Sequence, residues 1–285
     1  MKPIFSIDIT NDKNNTEANG KEFIIRSISR DLSEKLENAE DKIDDIQEKA
    51  KLPLWLRIFK LICQFVALTF FIGILRGSGE VTVSQAYANA PYLFWICGAA
   101  FALWGAIAIL GRAKEKETLE VSGVDNVVEN LKRDQNEALA DLCVPANALS
   151  VDFLVFSYKI KKDKVVPQAP GFLPTPYINI ELNVFVENES LCMADMETVH
   201  AFSLSEIKAI KKIKKRISML GWNKNEAPTK GIYKPYKMTV NNMGCIFMKY
   251  HYCLVVEREG VEYEIYFPCY ELPIIENITS LKAEE

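Results

Sequence analysis

Histidine is almost missing from this chain, with two residues in 285. So small a supply excludes histidine-rich metal chemistry, and a zinc site would need CxxC-type pairs or a helical His pair, neither of which occurs. An excess of positive charge is missing too: 34 Lys and Arg stand against 38 Asp and Glu, a formal net charge of −4. That balance argues against a strongly basic nucleic-acid-binding body. No G-x-S-x-G, Walker loop or G-x-G-x-x-G is present. Mean hydropathy of −0.01 excludes a polytopic transporter, but an average hides clustering and leaves room for one or two spans. No metal and no cofactor is expected, and the chain reads as non-catalytic.

Charge is absent altogether from Pro91 to Gly111, PYLFWICGAAFALWGAIAILG, 21 residues long. At 1.5 Å per residue this reaches roughly 31 Å, enough for a hydrocarbon core of about 30 Å. An earlier run, LWLRIFKLICQFVALTFFIGIL over 54–75, carries Arg57 and Lys60 near its start, where both can snorkel to headgroups. Transmembrane spans are therefore expected at about 54–75 and 91–111. Neither run has the pattern of a signal peptide. The connection Gly77–Ala90 has no Lys or Arg, whereas Lys42, Lys49 and Lys51 precede the first run, Arg57 lies in its first turn, and Arg112, Lys114 and Lys116 follow the second. The positive-inside rule places both termini in the cytoplasm of a cell carrying this protein in its inner membrane. Seven cysteines, odd in number, unclustered and absent from that connection, suit reduced thiols rather than a disulfide framework.

Charged helices flank the runs. Apolar residues recur at Ile25, Ile28, Leu32, Leu36, Ala39, Ile43, Ile46 and Ala50, a near-heptad resembling a coiled-coil stripe. Val124, Val128, Leu131, Ala138 and Leu142 continue a similar stripe, with Gln135 in the gap and Gly123 as a break. Residues 25–143 read as one helical hairpin, half in lipid and half in water. Separate amphipathic helices, or pairing with a second copy in a homo-oligomer, are the alternatives. Gly98, Ala102 and Ala106 put small side chains on one face, which favours close approach to the first span. Residues 1–24 read as a polar lead-in.

From about residue 146 to 285 the composition turns to β-branched and aromatic residues. Strands are expected over Val151–Ile160, Tyr177–Val186, Leu191–Ala194, Val199–Leu204, Tyr236–Val240, Cys245–Tyr250, Tyr252–Glu257 and Val261–Phe267. Pro167, Pro170, Pro174 and Pro176 mark a loop, and YELPIIENITSL an amphipathic terminal helix. The segment SEIKAIKKIKKRISML is ambiguous. Ser203 with Glu206 fits a capping box and the isoleucines fit a helix face, yet its end also suits a strand. The fold class is α+β.

Three stretches, INIELNVFVENESLCM, VHAFSLSEIKAI and EYEIYFPCYELPIIENITSL, resemble the bacterial pleckstrin-homology-like (PH-like) domain. That resemblance implies a strongly bent sheet plugged at one end by the final helix. With GWNK, YKPYKMTVNNMG and YFPCYEL, the chain also resembles uncharacterised two-span membrane proteins of gut Firmicutes that carry such a domain. Both likenesses concern fold and imply binding or scaffolding rather than chemistry.

Candidate sites are few. His251 and Cys253 share a strand face at i and i+2, and Cys192, Cys253 or Cys269 with a histidine is the one thiol pairing open to an enzyme. Trp222, Tyr233 and Tyr236 interleave with Lys224, Lys230, Lys234 and Lys237, an aromatic–basic mixture able to stack bases, although no nucleic acid is expected. The sharpest candidate is Lys208, Lys211, Lys212, Lys214, Lys215 and Arg216, six basic residues in nine positions. On a helix they fan outward as a patch for anionic lipid or an acidic protein partner. On a strand they split between two faces.

Overall fold

The computed structural model describes residues 2–9, 20–77, 87–162, 164–169, 173–220, 235–241 and 245–284. The chain is α+β and divides into two units, one formed by Met1–Arg30 with Asn136–Glu285, the other by Asp31–Gln135. Four long helices, α1 (Arg30–Ala50), α2 (Leu54–Gly77), α3 (Pro91–Val121) and α4 (Val124–Asp141), occupy the middle of the sequence. Leu32, Leu36, Ala39 and Ala50 are the buried face of α1, as its stripe requires. Ile25 and Ile28 fall before this helix, so the helical region starts at Arg30 rather than 25. Gly123, at φ +63°, separates α3 from α4.

Two of these helices are long and apolar enough to cross a membrane. Their large apolar side chains point outward: Phe65 is 72% exposed, Ile109 69% and Leu61 64%. A core helix of a water-soluble domain would cover such groups. α2 and α3 pack along each other through Cys63, Ala67, Cys97, Ala100 and Ile107, all buried. The Cys97 thiol donates to the Ala67 carbonyl at 3.6 Å, and Phe71 meets Phe101 edge-on. Gly98, Ala102 and Ala106 are exposed instead, so the small-residue face expected to meet the first span points away from it. The neighbouring face won because α2 offers Cys63 and Ala67 there, letting the helices approach without a glycine.

The β-rich unit takes strands from both ends of the chain. β1 (Lys2–Pro3), β2 (Ile7–Asp8) and β3 (Ile24–Ser27) precede the helices. After them come β4 (Leu149–Lys161), β5 (Lys164–Gln168), β6 (Tyr177–Glu187), β7 (Ser190–Ala194), β8 (Thr198–Ser203) and β9 (Ile207–Ile213). β10 (Ile217–Leu220), β11 (Thr239–Val240), β12 (Cys245–Met248), β13 (His251–Arg258) and β14 (Val261–Phe267) follow, then α5 (Leu272–Thr279) and β15 (Ala283–Glu284). The main path runs β11-β12-β10-β6-β4-β14-β13-β9-β15, with β6-β7-β8-β3 branching from it. β5 carries Pro167, read as loop, and is tolerated because it pairs on one side, with β4.

β4 and β14 touch at one pair, Leu154 and Tyr266. The N-terminal residues continue the pairing on either side: β1 lies parallel to β14, and β2 parallel to β4. The Ile4 amide donates to the Glu264 carbonyl at 2.8 Å, and the Ser6 hydroxyl accepts the Phe156 amide at 3.3 Å. Ile4 is buried in the main core, and Gly20, at φ +108°, lies so close to it that a Cβ would stand 2.7 Å from Ile4 Cγ2. Residues 2–9 and 20–24, read as a polar lead-in, thus belong to the β-rich unit, and so do residues 25–27, read as the start of the helical hairpin. Alternation predicts no such strands, because each is two to four residues long and its partners lie more than a hundred residues away.

The core follows from this arrangement. Phe23, Phe153, Phe202, Leu254, Ile265 and Phe267 are buried in it, and α5 adds Ile275. Truncating Ile4 to Ala is expected to cost the full-length protein about 2–5 kcal/mol. An exposed change such as Glu40→Ala should stay within about 0.5 kcal/mol. Denaturant unfolding in detergent measures both, and equal midpoints for the two variants would contradict a structural role for the N-terminal segment.

Candidate functional site

The basic run settles as strand and turn. Ile207–Ile213 forms β9, which pairs antiparallel with β13, and Ile217 opens β10. The Ser203–Glu206 pair makes half of its capping box, the Glu206 carboxylate accepting the Ser203 amide at 3.2 Å, but in a β8–β9 turn. Glu206 is claimed by Arg258 of β13, which grips both carboxylate oxygens at 2.7 and 2.8 Å. That bidentate pair and the ladder to β13 outweigh the helical spacing of the isoleucines.

The charges therefore divide. Lys208 is unopposed at a bulge, between Ile207 opposite Val256 and Ala209 opposite Val255. Lys211 faces Cys253 across the ladder, while Lys212 faces Tyr252 and places its ammonium 5.0 Å from the Tyr250 ring centroid. Beyond the strand, Lys214, Lys215 and Arg216 are consecutive and exposed. The Lys215 amide donates back to the Ile213 carbonyl at 2.9 Å, a three-residue turn centred on Lys214, and the Arg216 guanidinium lies 5.5 Å from the Phe247 ring centroid. What read as a six-residue patch is a three-residue cationic turn with three outlying lysines.

Beneath the turn sits His251, 1% exposed. Its imidazole hydrogen-bonds the Lys215 backbone, its Nδ1 has no partner among the described residues, and its ring stands 6.2 Å from Tyr177 and 6.0 Å from Tyr266. Burial lowers its pKa to about 4, and the Lys215 charge pushes the same way. Neutral, His251 is a support for the turn. Nothing in the sequence beyond its isolation marked it for that position.

The thiols lie in environments that suppress reactivity. Cys192, Cys253 and Cys269 are buried, and burial raises the pKa of all three, Cys269 to about 11. An activated thiol needs the opposite shift. Among the described residues no group of three or more His, Cys, Asp or Glu is placed to hold a metal ion. Of the aromatic–basic mixture, residues 221–234 lie outside the described residues; Tyr236 packs against the core.

A second buried ionisable group was not read from the sequence. Glu271, just before α5, accepts the Asp152 amide at 3.2 Å, and Tyr270 donates to the Asp152 carboxylate at 2.5 Å. Burial raises Glu271 to about 7, with the charges of Asp152 and Glu181 adding to the rise against the Asp152 amide.

These two groups give opposite pH slopes. His251 binds its proton more weakly folded than unfolded, so acidification from about pH 6.5 to 4 removes up to about 3 kcal/mol of stability. Glu271 holds its proton more tightly folded, so stability present below about pH 4.5 falls by a comparable amount as pH rises through about 7. His251→Gln should therefore flatten the acid limb and Glu271→Gln the neutral limb of a stability–pH curve from denaturant unfolding. Superimposable curves for parent and both variants would contradict the assignment. Comparison of the chain with protein-family models, with curated proteins and with solved structures returned no match, so its function is argued from this geometry alone.

Proposed function

We propose that the protein is a membrane-anchored, non-catalytic binding or scaffolding module whose β-rich domain works in the cytoplasm at the inner leaflet. One observation carries the reading: a pair of span-length apolar helices is inserted between two segments, Met1–Arg30 and Asn136–Glu285, that build one sheet. Segments that share a sheet fold on the same side of a membrane, so the chain between them crosses an even number of times. Two spans satisfy that condition. The ends of the insertion are also tied together, since Arg26 of β3 donates to the Leu142 carbonyl just after α4 at 2.8 Å and pairs with Glu187. Basic flanks on both helices select the cytoplasm for the domain.

The branching sheet with a final helix packed on its core through Ile275 supports the likeness to a PH-like domain, a fold that the resemblance associates with recognition. Its ligand-contacting part is the turn Lys214–Arg216, which meets anionic headgroups. Each cation near such a surface contributes about 1 kcal/mol, fading within a Debye length. Tethering raises the effective concentration of that surface, so three charges suffice.

Two measurements test this. Cys143 is the exposed cysteine among seven. In intact cells it should resist a membrane-impermeant maleimide and react after permeabilisation; labelling from outside reverses the topology. In nanodiscs of the full-length protein, tryptic cleavage at Lys214–Arg216 should slow severalfold when phosphatidylglycerol replaces phosphatidylcholine, and high salt should abolish the difference. Equal cleavage in both lipids points to an acidic protein partner or to none, and removes the lipid contact.

A further inference from the structure

A groove of about 1050 Å³ opens between α2 and α3 beside the end of α1. Its register is fixed by two contacts. Ala67 stands level with Cys97, and Leu52 packs so closely on Gly111 that a Cβ there would stand 3.0 Å from Leu52 Cδ1. Antiparallel helices with that register bring Lys60 level with Trp104 and Arg57 level with residues 106–107, next to Ala108, and Arg57, Lys60, Trp104 and Ala108 all line the groove. Arg112 and Lys51 complete its mouth, and Lys114, two residues beyond Arg112, donates to the Lys51 carbonyl at 2.9 Å, holding the end of α1 in place.

The charges do not balance. Four cations line the groove against one carboxylate, Glu115. Among the described residues Arg57, Lys60 and Arg112 make no ion pair. Arg57 and Lys60 belong to the first two turns of the apolar helix, which the spanning reading puts at headgroup depth, within reach of a lipid phosphate. Opposite them α3 offers Gly105 and Ala108, whose small side chains leave the space open. The indole N–H of Trp104 is also buried there with no acceptor among the described residues, and Gln64 lies one turn beyond Lys60.

We propose that this groove binds one anionic phospholipid of the inner leaflet. Its phosphate sits between Arg57, Lys60 and Arg112. The Trp104 N–H and the Gln64 carboxamide face its ester carbonyls, and an acyl chain follows the outward apolar face of α3. The inference rests on the membrane-spanning reading of α2 and α3 but concerns a different site from the cationic turn. A zwitterionic lipid supplies a phosphate whose charge its own ammonium cancels, so the cations select an anionic headgroup.

Native mass spectrometry of the full-length protein in detergent, titrated with phosphatidylglycerol, phosphatidylcholine or inorganic phosphate, tests the site. One phosphatidylglycerol should bind in preference to phosphatidylcholine, and phosphate up to millimolar concentration should not displace it. Arg57→Gln with Lys60→Gln should weaken retention roughly thirty-fold, at about 1 kcal/mol per cation. Ala108→Leu, which fills the groove without changing charge, should also remove it. The triple change Lys214→Gln, Lys215→Gln, Arg216→Gln should leave it intact. Equal retention of both lipids, displacement by phosphate, or undiminished binding by both groove variants would overturn the proposal. Carbonate extraction of membranes reads the spanning reading separately: a chain that stays with the membrane yet fails the titration disproves the groove alone, whereas a chain released by carbonate disproves both.

Discussion

One guanidinium gathers the β-rich unit. Arg258, at the end of β13, holds the Glu206 carboxylate with two nitrogens, donates to the Glu22 carbonyl at 3.2 Å and to the Ala201 carbonyl at 3.4 Å, and lies 4.0 Å from the Phe23 ring centroid. The pair with Glu206 is partly covered, so charge-assisted bonds there are screened less than on an open surface. A lysine could not substitute, because a point charge cannot fork to a carboxylate and stack on a ring at once. Through this contact the residues before the helices, the β8–β9 turn and β13 hold one another in register. The position of β9, and with it the cationic turn, follows.

This contact also explains why a local signal misled. Ser203 and Glu206 carry the spacing of a capping box, and Ile207, Ile210, Ile213 and Ile217 carry helical spacing. The structure keeps the Ser203–Glu206 hydrogen bond but spends the carboxylate on Arg258, 52 positions away. Ile207, Ile210 and Ile217 are still buried, since a strand with a bulge at Lys208 followed by a turn brings them inward as well as a helix would. The ambiguity was physical, and long-range pairing resolved it.

Much else was legible. The strand over Tyr177–Glu187 alternates plainly, the β13–β14 hairpin is marked by Glu259-Gly260, both at positive φ, and the two apolar helices declare themselves by length. What could not be read were features whose cause lies far off in the chain. β1 to β3 are too short to show a period: β1 and β2 read as polar lead-in until the gap between β4 and β14 is known, and β3 reads as the start of the hairpin until its partner β8 is known. The facing of α3 turned on which small residues α2 offered. His251 and Glu271 gained their unusual protonation from burial, which a linear sequence does not display.

The interrupted construction of the sheet has a bearing on biosynthesis. β1 leaves the ribosome more than 250 residues ahead of its partner β14, and the whole helical insertion is made in between. The sheet is therefore the last thing to close, and it can close only if its early and late parts meet in the same compartment. In the membrane-spanning reading proposed above, a chain whose hairpin stopped halfway would leave Ile4 on one side of the bilayer and Glu264 on the other, with exposed strand edges in both. Under that reading such an unfinished sheet would present open strand edges to proteases and chaperones, so completion of the domain would report on insertion of the two helices.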